Sequence, residues 1–177
     1  LLELDRFRGL REISMFTGAG GGVLAARLLG WETVQYVEWD AYCQEVLRAR
    51  MRDGHLHEAP IHDDVSTFDG TPFRGKVDVV SAGFPCQPFS LAGKQGAVED
   101  ERNRWPDTIR VVRDVRPRFA FLENVPGLLT GSHGYFGTIL GDLAESGYDA
   151  TWSCLPAAGV GAPHRRDRLW ILATRAD

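Results

Sequence analysis

A thiol, a carboxylate and a pair of guanidiniums stand at three separate points of this sequence, each in a setting that suits chemistry. Cys86 lies in Gly83-Phe84-Pro85-Cys86-Gln87-Pro88-Phe89-Ser90. A single cysteine is most often a small buried hydrophobe. Here two prolines stiffen the segment, which is too polar and kinked to serve as core. The thiolate is the reactive form, and a nearby guanidinium or helix terminus would favour it. Glu123 closes the apolar run Phe119-Ala120-Phe121-Leu122. A carboxyl in that place is partly desolvated, which raises its pKa and keeps a proton available. Arg166 and Arg168 flank Asp167. On an extended backbone they share one face, where two guanidiniums can clamp a phosphate or a carbonyl oxygen.

A second constellation suits a nucleoside-bearing cofactor. Phe16-Thr17-Gly18-Ala19-Gly20-Gly21 joins an apolar run to a helical one. Glycines there permit a tight turn and close backbone approach to a ligand. Glu38 ends the next apolar run and could accept both hydroxyls of a ribose. Trp39 offers a flat face for an adenine ring. Asp64 could accept from the adenine amino group. Nicotinamide and flavin cofactors use similar turns, so this set alone leaves the ligand open.

These residues need strands and helices to hold them. Glu12–Phe16, Thr33–Val37, Val77–Ala82, Phe119–Val125, Asp149–Leu155 and Arg168–Thr174 read as strands, and Ile61–Val65 as a short one. Val23–Leu29, Ala41 to about Arg52, Pro106–Val115 and Phe136–Ser146 read as helices, the last ended by Gly147. Strands alternating with helices predict a mostly parallel α/β sheet with helices on both faces. Ligands on such sheets sit at the carboxyl ends of strands, where the residues above are found.

Composition narrows the setting. No stretch approaches the roughly 18 apolar residues of a membrane helix. Cys43, Cys86 and Cys154 are too far apart for a zinc knuckle or a disulfide framework, which predicts a reducing cytoplasm and no metal. The net charge of −4 is unlike that of an isolated DNA-binding module. A chain of this charge acting on DNA takes its phosphate contacts from local patches or from another part.

Taken in order, these residues resemble the DNA cytosine-5 methyltransferase family. Phe16-x-Gly18-x-Gly20-Gly21, Glu38-Trp39-Asp40 and Asp64-Val65 are similar to its cofactor motifs. Pro85-Cys86-Gln87, with Ser90 and Gly93-Lys94-Gln95, resembles the nucleophile motif and its mobile loop. Arg102–Trp105, Glu123-Asn124-Val125 and His164-Arg165-Arg166-Asp167-Arg168 resemble the motifs that follow. The resemblance runs from about Ile13 to Leu172. Ser14 stands where many members carry an acid, and His164 where glutamine is usual.

The resemblance implies a Rossmann-like methyltransferase fold, S-adenosylmethionine as cofactor, and duplex DNA as partner with its target cytosine flipped out. Cys86 would attack the base, Glu123 would hold ring nitrogen 3 and the amino group, and Arg168 the carbonyl oxygen. Arg166 would hold the sugar-phosphate, while Gln87, Ser90 and Asn124 contact substrate. Pro85 and Trp105 would line the cofactor site beside Val65. It also implies one catalytic domain over residues 1–177. The target-recognition region and the last two motifs would lie elsewhere, in a longer protein or a complementary chain of a bacterial or phage modification system. One of those motifs would return a helix to this domain; without it one sheet face is expected to be sticky. An inactive cofactor-binding remnant and an RNA-modifying branch are the alternatives.

Overall fold

The computed structural model describes residues 5–85, 103–131 and 134–176. Among them, seven strands form one sheet in the order β3-β2-β1-β4-β5-β7-β6. The strands are β1 (Arg11–Met15), β2 (Glu32–Val37), β3 (Ile61–His62), β4 (Val79–Ala82), β5 (Phe119–Asn124), β6 (Tyr148–Pro156) and β7 (Asp167–Arg175). The helices are α1 (Gly21–Leu28), α2 (Ala41–Arg52), α3 (Trp105–Val115), the short α4 (Gly127–Thr130) and α5 (Tyr135–Glu145). β1 pairs in parallel with β2 and β4, and β5 with β4; β7 runs antiparallel between β5 and β6. The chain moves outward in one direction from β1 and returns to start again at β4. That reversal opens a crevice at the carboxyl ends of β1 and β4.

The two faces of the sheet differ. Ile13, Met15, Val80, Ala82, Ala120, Leu122, Leu169 and Ile171 point one way into a continuous apolar core with Ile109 and Val112 of α3 and Ile139 and Leu143 of α5. Each Val, Leu, Ile or Met among them contributes roughly 1.5–3 kcal/mol through burial. The other face is packed more thinly. A smaller cluster of Val23, Tyr36, Leu47 and Leu56 secures α1 and α2 over β2. Phe121 and Trp170 stack at 5.2 Å on that face and remain partly exposed, and Leu172 beside them is 39% exposed.

Several element bounds depart from expectation for local reasons. Phe16 has φ 53 and leaves β1 one residue early. The third strand shrinks to Ile61–His62, since the Asp64 carboxylate accepts from Ser66 N at 2.8 Å and turns the chain. β4 begins at Val79 rather than Val77. α1 begins at Gly21 because Gly20, at φ 94, caps it. α2 has a carboxylate cap: Cys43 N donates to Asp40 Oδ1 at 2.8 Å, which holds the Asp40 pKa below its ordinary value. Among the described residues, no helix is long and apolar enough to cross a membrane.

Candidate active site

The turn after β1 is shaped by backbone geometry that side chains resist. Gly18 and Gly20 have φ 58 and 94. A Cβ on Gly20 would lie 3.1 Å from Leu47 Cδ2 and 3.2 Å from Leu56 Cδ1, whereas one on Gly18 would meet nothing within 4 Å. Gly20→Ala is therefore expected to destabilise the fold by about 2–4 kcal/mol and Gly18→Ala by about 1–2. Urea denaturation separates the two. Equal losses would contradict the crowding read at Gly20.

Glu38 ties this turn to the end of β2. Its Oε2 accepts from Gly18 N at 2.6 Å and its Oε1 from Asp40 N at 2.8 Å. A carboxylate has about four acceptor positions, so each oxygen keeps one for a ribose hydroxyl. Trp39 beside it is 77% exposed. Asp64 is held as a carboxylate, its pKa lowered first by the Ser66 hydroxyl and then by the Ser66 amide. Val65 is buried, and its carbonyl accepts from Arg110 Nη2 at 2.5 Å.

A cleft of about 390 Å³ links this turn to the carboxyl ends of β4 and β5. Phe16 and Thr17 line one side; Gly83, Glu123 and Arg166 line another. Glu123 pairs with Arg168, Nε to Oε1 at 2.6 Å, with both side chains about a quarter exposed. The carboxyl is partly withdrawn from solvent, and it also stands in an ion pair that the sequence reading did not include. The arginines also differ from expectation. Arg166 has φ 38, so the backbone there is not extended, and alternation along a strand does not place it. β7 starts at Asp167, which leaves Arg166 on the turn that lines the cleft. Gly83 matters for spacing, since a Cβ there would lie 3.3 Å from Glu123 Oε2.

Two residues expected at ligand surfaces lie behind the site. Asn124 is 4% exposed. Its Nδ2 donates to Phe84 O at 3.1 Å and its Oδ1 accepts from Val125 N at 2.8 Å. It ties the end of β5 to the segment leaving β4. Trp105 is 2% exposed, packs on Phe84 at 5.3 Å, and donates from Nε1 to Asp142 at 2.7 Å. A helix-starting aromatic with both a ring partner and an acceptor is pulled into the core. Pro85 is exposed at the last described position before Cys86. Cys86, Gln87, Ser90 and Gly93–Gln95 lie outside the described residues, as does Arg102.

Sequence reasoning overlooked the floor of the cleft. Glu12 is 2% exposed there, accepting from Ser81 Oγ at 2.6 Å and Thr33 Oγ1 at 2.9 Å. The signal was a carboxylate at the start of the run Glu12–Phe16, read as a strand. Burial raises its pKa against the lowering effect of the two hydroxyls. A raised carboxyl contributes stability that is complete below its ordinary pKa and is lost as pH rises through the folded value. Glu12→Gln carries no such loss. It is expected to gain on the order of 1 kcal/mol over the parent at pH 8 and little at pH 4, by urea denaturation. An equal difference at both values would contradict this.

A sheet of order 3-2-1-4-5-7-6 with a glycine-rich turn after its first strand and an acidic residue closing its second has the Rossmann-like architecture of methyltransferases. The chain belongs to the C-5 cytosine-specific DNA methylase family, whose model matches residues 10–177. It is 34% identical over 179 residues to the type II methyltransferase M.PspPI of Psychrobacter, covering 99% of this chain and 42% of the relative. It is 35% identical over 172 residues to M.HhaI of Haemophilus parahaemolyticus, covering 96% and 50%. Among solved structures, it resembles an Escherichia coli prophage protein described as a DNA modification methyltransferase, with TM-score 0.76 and 25% identity over 94% of this chain and 47% of that one. The Spodoptera frugiperda DNMT2 structure matches with TM-score 0.77 at 21% identity, over 96% and 51%, and supports the fold alone. The chain thus spans about half the length of these curated relatives.

Proposed function

We propose that this chain supplies the catalytic domain of a DNA cytosine-5 methyltransferase. The observation that carries the reading is the Glu123–Arg168 pair, whose carboxylate lines the cleft that also takes in Phe16 and Thr17 of the glycine turn. Cytosine presents a carbonyl oxygen, an unprotonated ring nitrogen 3 and an amino group along one edge. A guanidinium donates to the oxygen, and the adjacent carboxyl accepts from the amino group and shares a proton with nitrogen 3. Thymine offers an oxygen where the amino group would be and a proton on nitrogen 3, so the same pair rejects it. Carbon-5 cannot be reached inside a base stack, so the cytosine enters flipped from duplex DNA.

S-adenosylmethionine fits the cofactor side, where it would supply an electrophilic methyl group. Glu38 has acceptor positions left for the ribose, Trp39 an open face for adenine, and Asp64 an ionised carboxylate for the adenine amino group. The open space above Gly18 leaves room for close approach. The thiolate of Cys86 adds to carbon-6 of the base and makes carbon-5 electron-rich, which turns one hard step into two easier ones. Glu123 and Arg168 stabilise the charge that develops on the ring. Arg166, on the exposed turn, holds the sugar-phosphate of the flipped nucleotide. Loss of the carbon-5 proton after methylation restores the double bond and expels Cys86. Asn124 acts by holding the Phe84 carbonyl, two residues before the nucleophile.

A region in the same protein or a complementary chain carries target recognition and returns a helix over the thinly packed face at Phe121, Trp170 and Leu172. The setting is a bacterial or phage modification system in the cytoplasm. Transfer of tritiated methyl groups to duplex DNA, with such a region supplied in trans, tests the reading. Labelling of cytosine in DNA and not in transfer RNA is the expected result. Labelling of transfer RNA alone would move the chain to the RNA-modifying reading, and cofactor binding without turnover to the remnant.

A further inference from the structure

The edge of the sheet opposite the active site carries a concentration of positive charge that the catalytic reading does not use. Arg11 opens β1, Lys76 and Asp78 lead into β4, Arg118 precedes β5, Arg175 ends β7, and Arg116 follows α3. They line one open cleft of about 640 Å³, five cations against one lining carboxylate, with Glu32 Oε2 beside it at 3.6 Å from Arg11 Nε. The whole chain, by contrast, carries a net charge of −4. Like charges gathered within a Debye length raise the free energy of the fold unless an anion offsets them.

The cluster is built into the backbone. Arg11 Nη1 donates to Lys76 O at 2.7 Å and Arg175 Nη1 to Arg116 O at 2.7 Å. Main-chain bonds join the same residues: Asp78 N to Arg11 O at 2.9 Å, and Arg175 N to Arg118 O at 3.0 Å. The Arg118 guanidinium lies 4.9 Å from the Phe119 ring centroid, which limits its rotation. Arg116 holds a left-handed φ of 51. Asp78 Oδ2 is engaged by Arg11 N at 2.9 Å, so its charge is partly offset within the cleft. Guanidiniums anchored in this way lose less freedom on meeting an oxyanion than mobile ones do.

We propose that this cleft binds phosphate oxyanions, from a nucleic-acid backbone or from a free oligophosphate. Strands of four to six residues separate it from the active edge by about 15–20 Å, so its ligand is not the phosphate beside the target base. The site stands whether or not the chain transfers methyl groups.

The test is calorimetric titration with sodium tripolyphosphate, followed by competition with a duplex of A·T pairs only, which offers no cytosine. The parent chain is compared with Arg116→Asn/Arg118→Gln, in which asparagine tolerates the left-handed backbone. Binding of tripolyphosphate that weakens at least tenfold in the double variant is expected, with methyl transfer unchanged and a melting temperature no lower than the parent's. Arg116→Lys/Arg118→Lys should retain part of the affinity. Competition by the duplex assigns the nucleic-acid backbone as the source, with the log–log salt slope falling by about 2 in the double variant. Lack of competition assigns a free oligophosphate. No tripolyphosphate binding at 0.1 M salt, or equal binding by parent and double variant, overturns the proposal.

Discussion

Cys86→Ser is expected to lower methyl transfer at least about 10⁴-fold, which corresponds to roughly 5.5 kcal/mol of transition-state stabilisation. A serine hydroxyl is far harder to ionise than a thiol, and cytosine carbon-5 is a poor nucleophile until carbon-6 is attacked. The loss should fall on kcat, with S-adenosylmethionine binding unchanged, because Glu38, Trp39 and Asp64 belong to other strand ends. Single-turnover transfer of a labelled methyl group measures it. Retention of more than a few per cent of activity would mean that the base is activated without the thiol.

Glu123→Gln is expected to cost about 10²–10³-fold in kcat. The amide can still meet part of the cytosine edge, but it cannot share a proton with ring nitrogen 3. It also leaves Arg168 without the carboxylate that lies 2.6 Å from its Nε. Since the pair is partly exposed, the change in folding stability should stay within about 1 kcal/mol. A melting curve close to the parent together with a large kinetic loss separates the catalytic role from a structural one. Proportionate loss of both would reduce Glu123 to a turn-capping residue.

The sheet could be read from the chain because β1, β4 and β5 are short apolar runs that end in punctuation. The glycine turn marked the first of these ends, the Gly83-Phe84-Pro85 segment the second, and Glu123 the third. What escaped reading depended on contacts between distant residues. Nothing near Asn124 announces that its amide reaches back forty residues to the Phe84 carbonyl. Trp105 reads as a surface for a ligand until Phe84 and Asp142 are seen to occupy it. The alternation of Arg166 and Arg168 put both on one face of an extended backbone, but the positive φ of Arg166 breaks that geometry, and such a backbone angle has no sequence mark in a non-glycine residue. Glu12 was visible as a charged residue within a strand. Its meaning emerged only when β1 and its neighbours brought Thr33 and Ser81 to its two oxygens.

The described residues also put the thiol assignment in a sharper frame. Cys43, in α2, is partly buried, and its pKa is raised first by burial and then by the carboxylates of Asp40 and Glu38. Cys154 is exposed on β6. Neither residue lines the cleft of Glu123 and Arg166. If a thiol of this chain attacks cytosine, the account requires it to be Cys86.

The most direct measurement is covalent trapping on duplex DNA carrying 5-fluorocytosine at the target position, with S-adenosylmethionine and a target-recognition region present. Fluorine cannot leave as a proton does, so the final elimination is blocked and the thiol stays bonded to carbon-6. Mass spectrometry of the digested complex should find the base on the peptide containing Cys86. Methylated cytosine formed on ordinary DNA without any trapped adduct on the fluorinated duplex, or an adduct on Cys43 or Cys154 instead, would contradict the account.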